Sequence, residues 1–219
     1  MKQKTWFFTT VAIMTAIVLA GCPGTGGSDT PTTGELTTLF DLATDPHIQG
    51  LDVGTTDHEE ILGSTGMARA GGDEAGDNLV AFEIVAHGGR NSLRITADHS
   101  GWGAGLDLPN AEFDFQVGDR ISVAGYIESI GAPPIWGGEL ARVQLNSNTN
   151  YGQNRPISPI VNAAGPFSFD VRLTSADIAT IRTGTSHNVR LELRASGNVS
   201  VRVDNILVEG TRATESSSE

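Results

Sequence analysis

Five histidines (His47, His58, His87, His99 and His187) and the acidic stretch Asp57-His58-Glu59-Glu60 are the side chains best suited to proton transfer or metal binding in this 219-residue chain. Their spacing argues against both. A catalytic zinc site uses two histidines at fixed helical or strand spacing, and no HExxH-like frame occurs. Glu139 and Glu192 could in principle form the carboxylate pair of a glycosidase, but no neighbouring motif supports them. There is no GxSxG elbow and no Gly-rich loop between a strand and a helix. The single cysteine, Cys22, has no second thiol to pair with. Lys2 and Lys4 are the only lysines, so the rest of the chain has no residue for Schiff-base chemistry or for a phosphate-loop lysine. The chain therefore reads as a non-enzyme, with Asp57 to Glu60 as a solvated loop. Stacking chemistry has better candidates. Trp102 lies between Gly101 and Gly103, which leaves its indole open on both flanks, and Tyr151 lies in a polar run from Asn146 to Asn154. Trp136, after Pro133-Pro134, is either a second platform or a rim contact sealing the fold.

Cys22 has a chemistry of its own. Lys2 and Lys4 precede an apolar run from Trp6 to Leu19. This is secretory signal architecture and is shorter than the roughly 20 residues of a spanning helix. Leu19-Ala20-Gly21-Cys22 resembles the bacterial lipobox, which implies cleavage before Cys22 and attachment of palmitate-type chains. Each buried methylene contributes about 0.8 kcal/mol, so more than one chain gives lasting anchorage where one does not. The expected organisation is a signal peptide (1–21), a lipidated Cys with a flexible Gly/Pro/Ser/Thr linker (22–34), one folded domain (35–210) and a disordered polar tail (211–219). Pro23 stands where an aspartate would signal inner-membrane retention, which points to the outer membrane or cell surface.

The chain carries 26 acidic against 14 basic residues, a formal charge of −12. Such a surface repels phosphate backbones, and Arg69, Arg90, Arg120, Arg142 and Arg172 form no basic run, so nucleic acid is excluded as a partner.

The elements that must position these residues follow from alternation. Apolar residues recur at every second position around Leu79–Ile84, Leu93–Ile95, Ile121–Val123, Val143–Leu145, Phe167–Val171, Val189–Leu193 and Val199–Val203. Period two over short runs separated by Gly and Asn gives half-buried strands. The fold class expected is all-β, an antiparallel β-sandwich (jelly roll). One short edge helix is expected from Ser175 to Ile181, with Thr174 as cap and Asp177 completing a capping box.

With that pattern in place, several motifs gain meaning. Ala86-His87-Gly88-Gly89-Arg90-Asn91-Ser92-Leu93-Arg94-Ile95 and Trp102-Gly103-Ala104-Gly105-Leu106-Asp107-Leu108 resemble a stretch of the jelly-roll carbohydrate-binding modules of families 4, 9 and 22. Val201 to Val208 resembles their closing strand, Phe40-Asp41-Leu42 their opening strand, and Val117 to Ile121 the start of a central strand. The resemblance spans roughly Leu36 to Gly210. It implies a structural calcium (Ca2+) held by Asp41 and Asp204. It also implies ligand roles for Trp102 as the stacking tryptophan, Arg69 as the ligand arginine, Tyr151 as the second aromatic and Glu192 as the cleft glutamate. Met67 departs from the pattern, standing where the family has a tryptophan. Read from the strand alone, Glu192 alternates with Leu191 and Leu193 and faces away from the apolar layer, as a solvated residue or a ligand.

Two functions follow as expectations. The first is a membrane-anchored, non-catalytic binder of β-linked polysaccharide such as β-glucan or xylan. The second is a structural or adhesive surface lipoprotein whose jelly roll has lost sugar binding.

Overall fold

The computed structural model describes residues 36–70, 80–97, 104–130, 139–147, 154–183, 187–193 and 199–210. Cys22, Trp102, Trp136 and Tyr151 lie outside them. Among the described residues no helix is long and apolar enough to cross a membrane.

The alternating runs become strands of an antiparallel β-sandwich of two sheets. Sheet A contains β1 (Thr37–Asp41), β3 (Val80–His87), β4 (Arg90–Ala97), β6 (Arg120–Ile130), β9 (Gly165–Arg172) and β11 (Val199–Gly210), in the order β3-β4-β11-β6-β9, with β1 also on β11. Sheet B contains β2 (Ala68–Ala70), β5 (Ala104–Pro109), β7 (Ala141–Ser147), β8 (Arg155–Pro156) and β10 (His187–Leu193), in the order β2-β5-β10-β7-β8. One side of each sheet supplies the core. Ile84, Leu93, Ile95, Ile121, Val201 and Val203 come from sheet A, and Leu106, Val143, Leu145, Val189, Leu191 and Leu193 from sheet B.

The expected edge helix forms as α4 (Ser175–Arg182), with the Thr174–Asp177 capping box in place and Ile178 and Ile181 buried. Among the described residues three further helices form that the sequence pattern does not announce: α1 (Pro46–Gly50), α2 (His58–Leu62) and α3 (Asn110–Phe113). The Asp57–Glu60 stretch is therefore corrected from a loop to a capped helix start. The Asp57 carboxylate accepts from the Glu59 and Glu60 amides, satisfying donors that a first turn leaves orphaned, and the following Ile61 and Leu62 are buried. Asp45 does the same for α1, accepting from Ile48 N at 2.9 Å ahead of Pro46. At five residues each, α1 and α2 are too short to show helical periodicity in the sequence.

Helix α1 is fastened to the sheet by two amide side chains. Asn91 Nδ2 donates to the carbonyls of Ile48 (2.9 Å) and Leu51 (2.8 Å), and Gln49 Nε2 donates to those of Leu42 (3.1 Å) and Asn91 (3.0 Å). Gln49 Oε1 in turn accepts from Asn91 N at 3.0 Å. Replacing Asn91 by Ala strands two carbonyls and is expected to lower stability by about 1–3 kcal/mol in urea unfolding. A loss below about 0.5 kcal/mol would show that water replaces the amide at no penalty.

Candidate functional site

The outward face of sheet B is polar but buried. Alternation sends Asp107 of β5, Arg142, Gln144 and Asn146 of β7, and Asn188, Arg190 and Glu192 of β10 away from the core. Antiparallel register sets Arg190 opposite both Asp107 and Gln144, and Glu192 opposite both Gly105 and Arg142. Long side chains on an outward face are ordinarily wet, yet Asp107 and Glu192 are each 4% exposed, Arg190 8% and Arg142 9%.

Their charges are matched in place. Arg190 clamps Asp107 through two bonds, Nε to Oδ1 at 2.6 Å and Nη2 to Oδ2 at 2.9 Å, and Asn188 adds a third to Oδ2 at 3.0 Å. Arg142 donates from Nε to Glu192 Oε2 at 2.6 Å, from Nη2 to Gln144 Oε1 at 2.7 Å and from Nη1 to Glu139 Oε2 at 3.4 Å. Gly105 lets the strands approach, since a Cβ there would lie 1.9 Å from the Leu191 carbonyl oxygen. Glu139 and Glu192 share one guanidinium and so form a single ion-pair cluster, not two carboxylates across a substrate space. Gln144 is 1% exposed, and its Nε2 meets no acceptor among the described residues. An enclosed amide left that way costs about 1–3 kcal/mol.

A groove of about 550 Å³ opens at the β2 edge of the same sheet. Leu62, Met67 and Pro109 contribute apolar lining, and His58, Glu59, Glu112 and Arg69 polar groups. Pro109 also ends the outward row of β5, opposite Asn188.

The anticipated residues are distributed unevenly over this geometry. Glu192 does face away from the core, but as a buried partner of Arg142 and not as a solvated residue. Arg69 pairs in register with Leu106, whereas Glu192 pairs with Gly105, so strand alternation places the two on opposite faces of sheet B. Arg69 belongs to the groove. Sequence reasoning passed over Asp107, Arg142, Gln144 and Arg190, because a polar residue alternating with apolar ones carries the pattern of any solvated strand face.

Asp41 and Asp204 occupy the two strands whose pairing joins the ends of the domain, β1 and β11. Their carboxylates serve other groups. Asp41 accepts from Ala43 N (3.0 Å) and Thr44 Oγ1 (2.9 Å), closing its own turn. Asp204 accepts from Ser92 Oγ (3.0 Å) and Arg202 Nε (2.7 Å) and lies 3.0 Å from His87 Nδ1. A guanidinium on that carboxylate takes the place a divalent ion would need, and Arg90 donates to the Asp204 carbonyl at 3.1 Å. This pair does not fit the calcium that the resemblance implies, and among the described residues no three His, Cys, Asp or Glu cluster as ligands.

No protein-family model matches the chain, and no curated protein does. Among solved structures, the chain is similar to the CBM22-1 xylan-binding domain of Paenibacillus barcinonensis Xyn10C, at 13% identity and a TM-score of 0.45, over 83% of this chain and 97% of that one. It is similar to a Stig cyclase of Fischerella sp. TAU at 13% identity and a TM-score of 0.45, over 81% and 99%. The CBM22-1-GH10 modules of a Clostridium thermocellum xylanase, complexed with xylohexaose, overlap at 15% identity and a TM-score of 0.41, over 70% of this chain and 28% of that one. At such overlaps neither binding nor cyclisation transfers, and the chain's own side chains must carry the functional reading.

Two outcomes follow for the Asp204 cluster. Excess chelator is expected to leave the melting temperature of the purified domain unchanged, and a fall of several degrees would restore the cation. Burial pulls the Asp204 carboxyl up, but the Arg202 and Ser92 hydrogen bonds, with the charges of Arg202 and His87, outweigh it and hold the group below its ordinary value. The pairing therefore adds stability above the unfolded carboxylate range of about 3.9, and that stability drains away as the pH falls through the lower, folded value. Asp204→Asn should melt well below wild type at pH 7 and approach it near pH 2, and a constant gap across that range would refute the assignment.

Proposed function

We propose that this protein is a membrane-anchored, non-catalytic carbohydrate-binding lipoprotein for a β-linked polysaccharide. The observation that carries this reading is the open groove of about 550 Å³ at the β2 edge of sheet B, where Arg69, His58, Glu59 and Glu112 offer polar groups beside Leu62, Met67 and Pro109. Polysaccharide hydroxyls need donors and acceptors already in position, since ordering long side chains on binding opposes affinity.

Sequence position adds the stacking partners. Trp102 stands just before β5 and Tyr151 between β7 and β8, so both belong to segments joined to strands of this sheet. The register puts the start of β5 beside Leu193 and the end of β7 beside His187, at opposite ends of β10. Cys22 supplies the attachment, through the lipobox resemblance, at the outer membrane or cell surface.

A second reading, a structural or adhesive lipoprotein without sugar binding, draws on Met67. Where the resemblance calls for a tryptophan, this side chain is 6% exposed and joins the core.

Affinity electrophoresis in soluble xylan and in mixed-linkage β-glucan separates the two. Retardation in at least one gel is expected, weakened about tenfold or more by Trp102→Ala, because stacking on an aromatic face is the contact removed. Unretarded migration in every glycan gives the case to the structural reading.

A further inference from the structure

The first and last strands of the domain meet at one end of sheet A. Thr37, where the chain from Cys22 enters β1, pairs with Gly210, the last residue of β11, and Thr38 pairs with Glu209. The register carries that row across the sheet, from Glu209 to Arg120 of β6 and from Arg120 to Arg172 of β9. Just beyond it stands the turn Gln116–Asp119, which leads into β6.

That turn is fixed, and it shows an apolar side chain to solvent. Asp119 N donates to the Gln116 carbonyl at 3.2 Å, and Gln116 N donates to the buried Asp119 carboxylate at 2.9 Å. Gly118, at a φ of 95°, supplies the left-handed residue that such a bend requires. Leu173, just after β9, bonds Gly118 N and the Asp119 carbonyl, each at 2.8 Å. Val117 is thereby held at the tip, 47% exposed. An arginine stands on each side of it. Arg172 lies over Gly118, where a Cβ would be 3.7 Å from its Nη2, and Arg182, in the last turn of α4, donates from Nη2 to Gln116 Oε1 at 2.6 Å. Both arginines are exposed. Arg120 is differently placed, since Asp170 and Glu209 share its guanidinium. Within the loop itself Asp119 is buried and Asp114 is the exposed acid.

We infer that this end of the domain rests on the membrane that holds the Cys22 anchor, with Arg172 and Arg182 on the phosphates of anionic phospholipid headgroups and Val117 at the interface between them. This orientation rests on the lipoprotein reading above. The path from Cys22 to Thr37 reaches at most about 50 Å when fully extended, so the Thr37 end is the part of the domain kept nearest the headgroups. Attraction between an arginine and an anionic surface fades within about 10 Å at ordinary salt, so cations act on the membrane only from that end. The formal charge of −12 sharpens the choice. An anionic surface repels the body of the domain and favours the end where two exposed guanidinium groups flank an apolar tip.

The test places the full acylated chain in vesicles of phosphatidylcholine, with or without phosphatidylglycerol. Acylated Cys22 offers no thiol, so Val117→Cys can carry a single environment-sensitive fluorophore. Val53→Cys is the control, because Val53 is 60% exposed and its neighbour Gly54 bonds β3, at the opposite edge of sheet A from β9. With phosphatidylglycerol present, emission from the label at position 117 is expected to shift to the blue while that at position 53 stays as in water, and high salt should abolish the shift. Arg172→Gln with Arg182→Gln should lower the ratio of interfacial to solvated label about ten- to thirtyfold at an unchanged melting temperature, and Arg172→Lys with Arg182→Lys should keep the shift. Should the Gln pair fail to fold, the salt dependence of the labelled chain decides. A label at position 117 that stays in water, a shift of equal size without phosphatidylglycerol, or a shift that survives both high salt and the Gln pair overturns this orientation and leaves the anchor standing. A chain that floats with neither vesicle, its Cys22 unmodified by mass spectrometry, removes the lipoprotein reading and this orientation with it.

Discussion

Strand β11 is the element on which sheet A depends, because its twelve residues are bonded along both edges. On one edge it runs beside β6 for nearly its whole length. On the other it meets β4 through Val199–Val203 and then β1 through Leu207–Gly210. The first and last strands of the domain therefore close on each other, and the change of neighbour falls at Asp204–Ile206. That junction is where the polar side chains gather. Arg90 bonds the Asp204 carbonyl, Leu42 N reaches the Ile206 carbonyl at 2.9 Å, and Gln49 and Asn91 fasten α1 alongside. A strand that must wait for partners from the beginning, middle and end of the chain gives contacts of high sequence separation, the topology that folds slowly.

The strands were legible because apolar residues alternate along most of each, with breaks such as Ile84–Val85 and the shift at Val203–Asn205, and the Thr174–Asp177 helix because a capping box is a local code. Other features were hidden for definite reasons. Helices α1 and α2 depend on one aspartate cap each and a few buried apolar side chains, signals that a loop also carries. The opposition of Arg69 and Glu192 was hidden because which face a residue takes depends on pairing register, and a shift of one residue reverses it. Resemblance to a family aligns positions along a chain but does not say what each carboxylate bonds. Asp204 sits where the motif puts it and is held by Arg202, Ser92 and His87.

The two outward faces use the same chemistry to different ends. Across sheet A, Glu83, Arg94, Glu128, Arg202 and Asp204 form a chain of ion pairs at 2.7–3.3 Å. Glu83 and Arg94, at 39% and 34% side-chain exposure, are open to solvent, and such pairs contribute about 0–1 kcal/mol each. Those bonds order a wet surface. On sheet B the pairs are nearly dry, with side-chain exposures of 6% for Glu192 and Asp107 and about 10% for their arginines.

Dry pairs are poor stabilisers, because the desolvation of two ions can exceed their attraction, and a hydrophobic replacement of similar volume often serves stability as well or better. Two such pairs and an unmet amide together on one face make little sense as devices for holding the sandwich shut, which the core between the sheets already does. They make sense as a rigid polar floor. Strands hold side chains in place more firmly than loops do, so these groups on β5, β7 and β10 keep a fixed arrangement. At a formal charge of −12 the molecule repels anions at a distance, while the buried pairs of sheet B act only at short range.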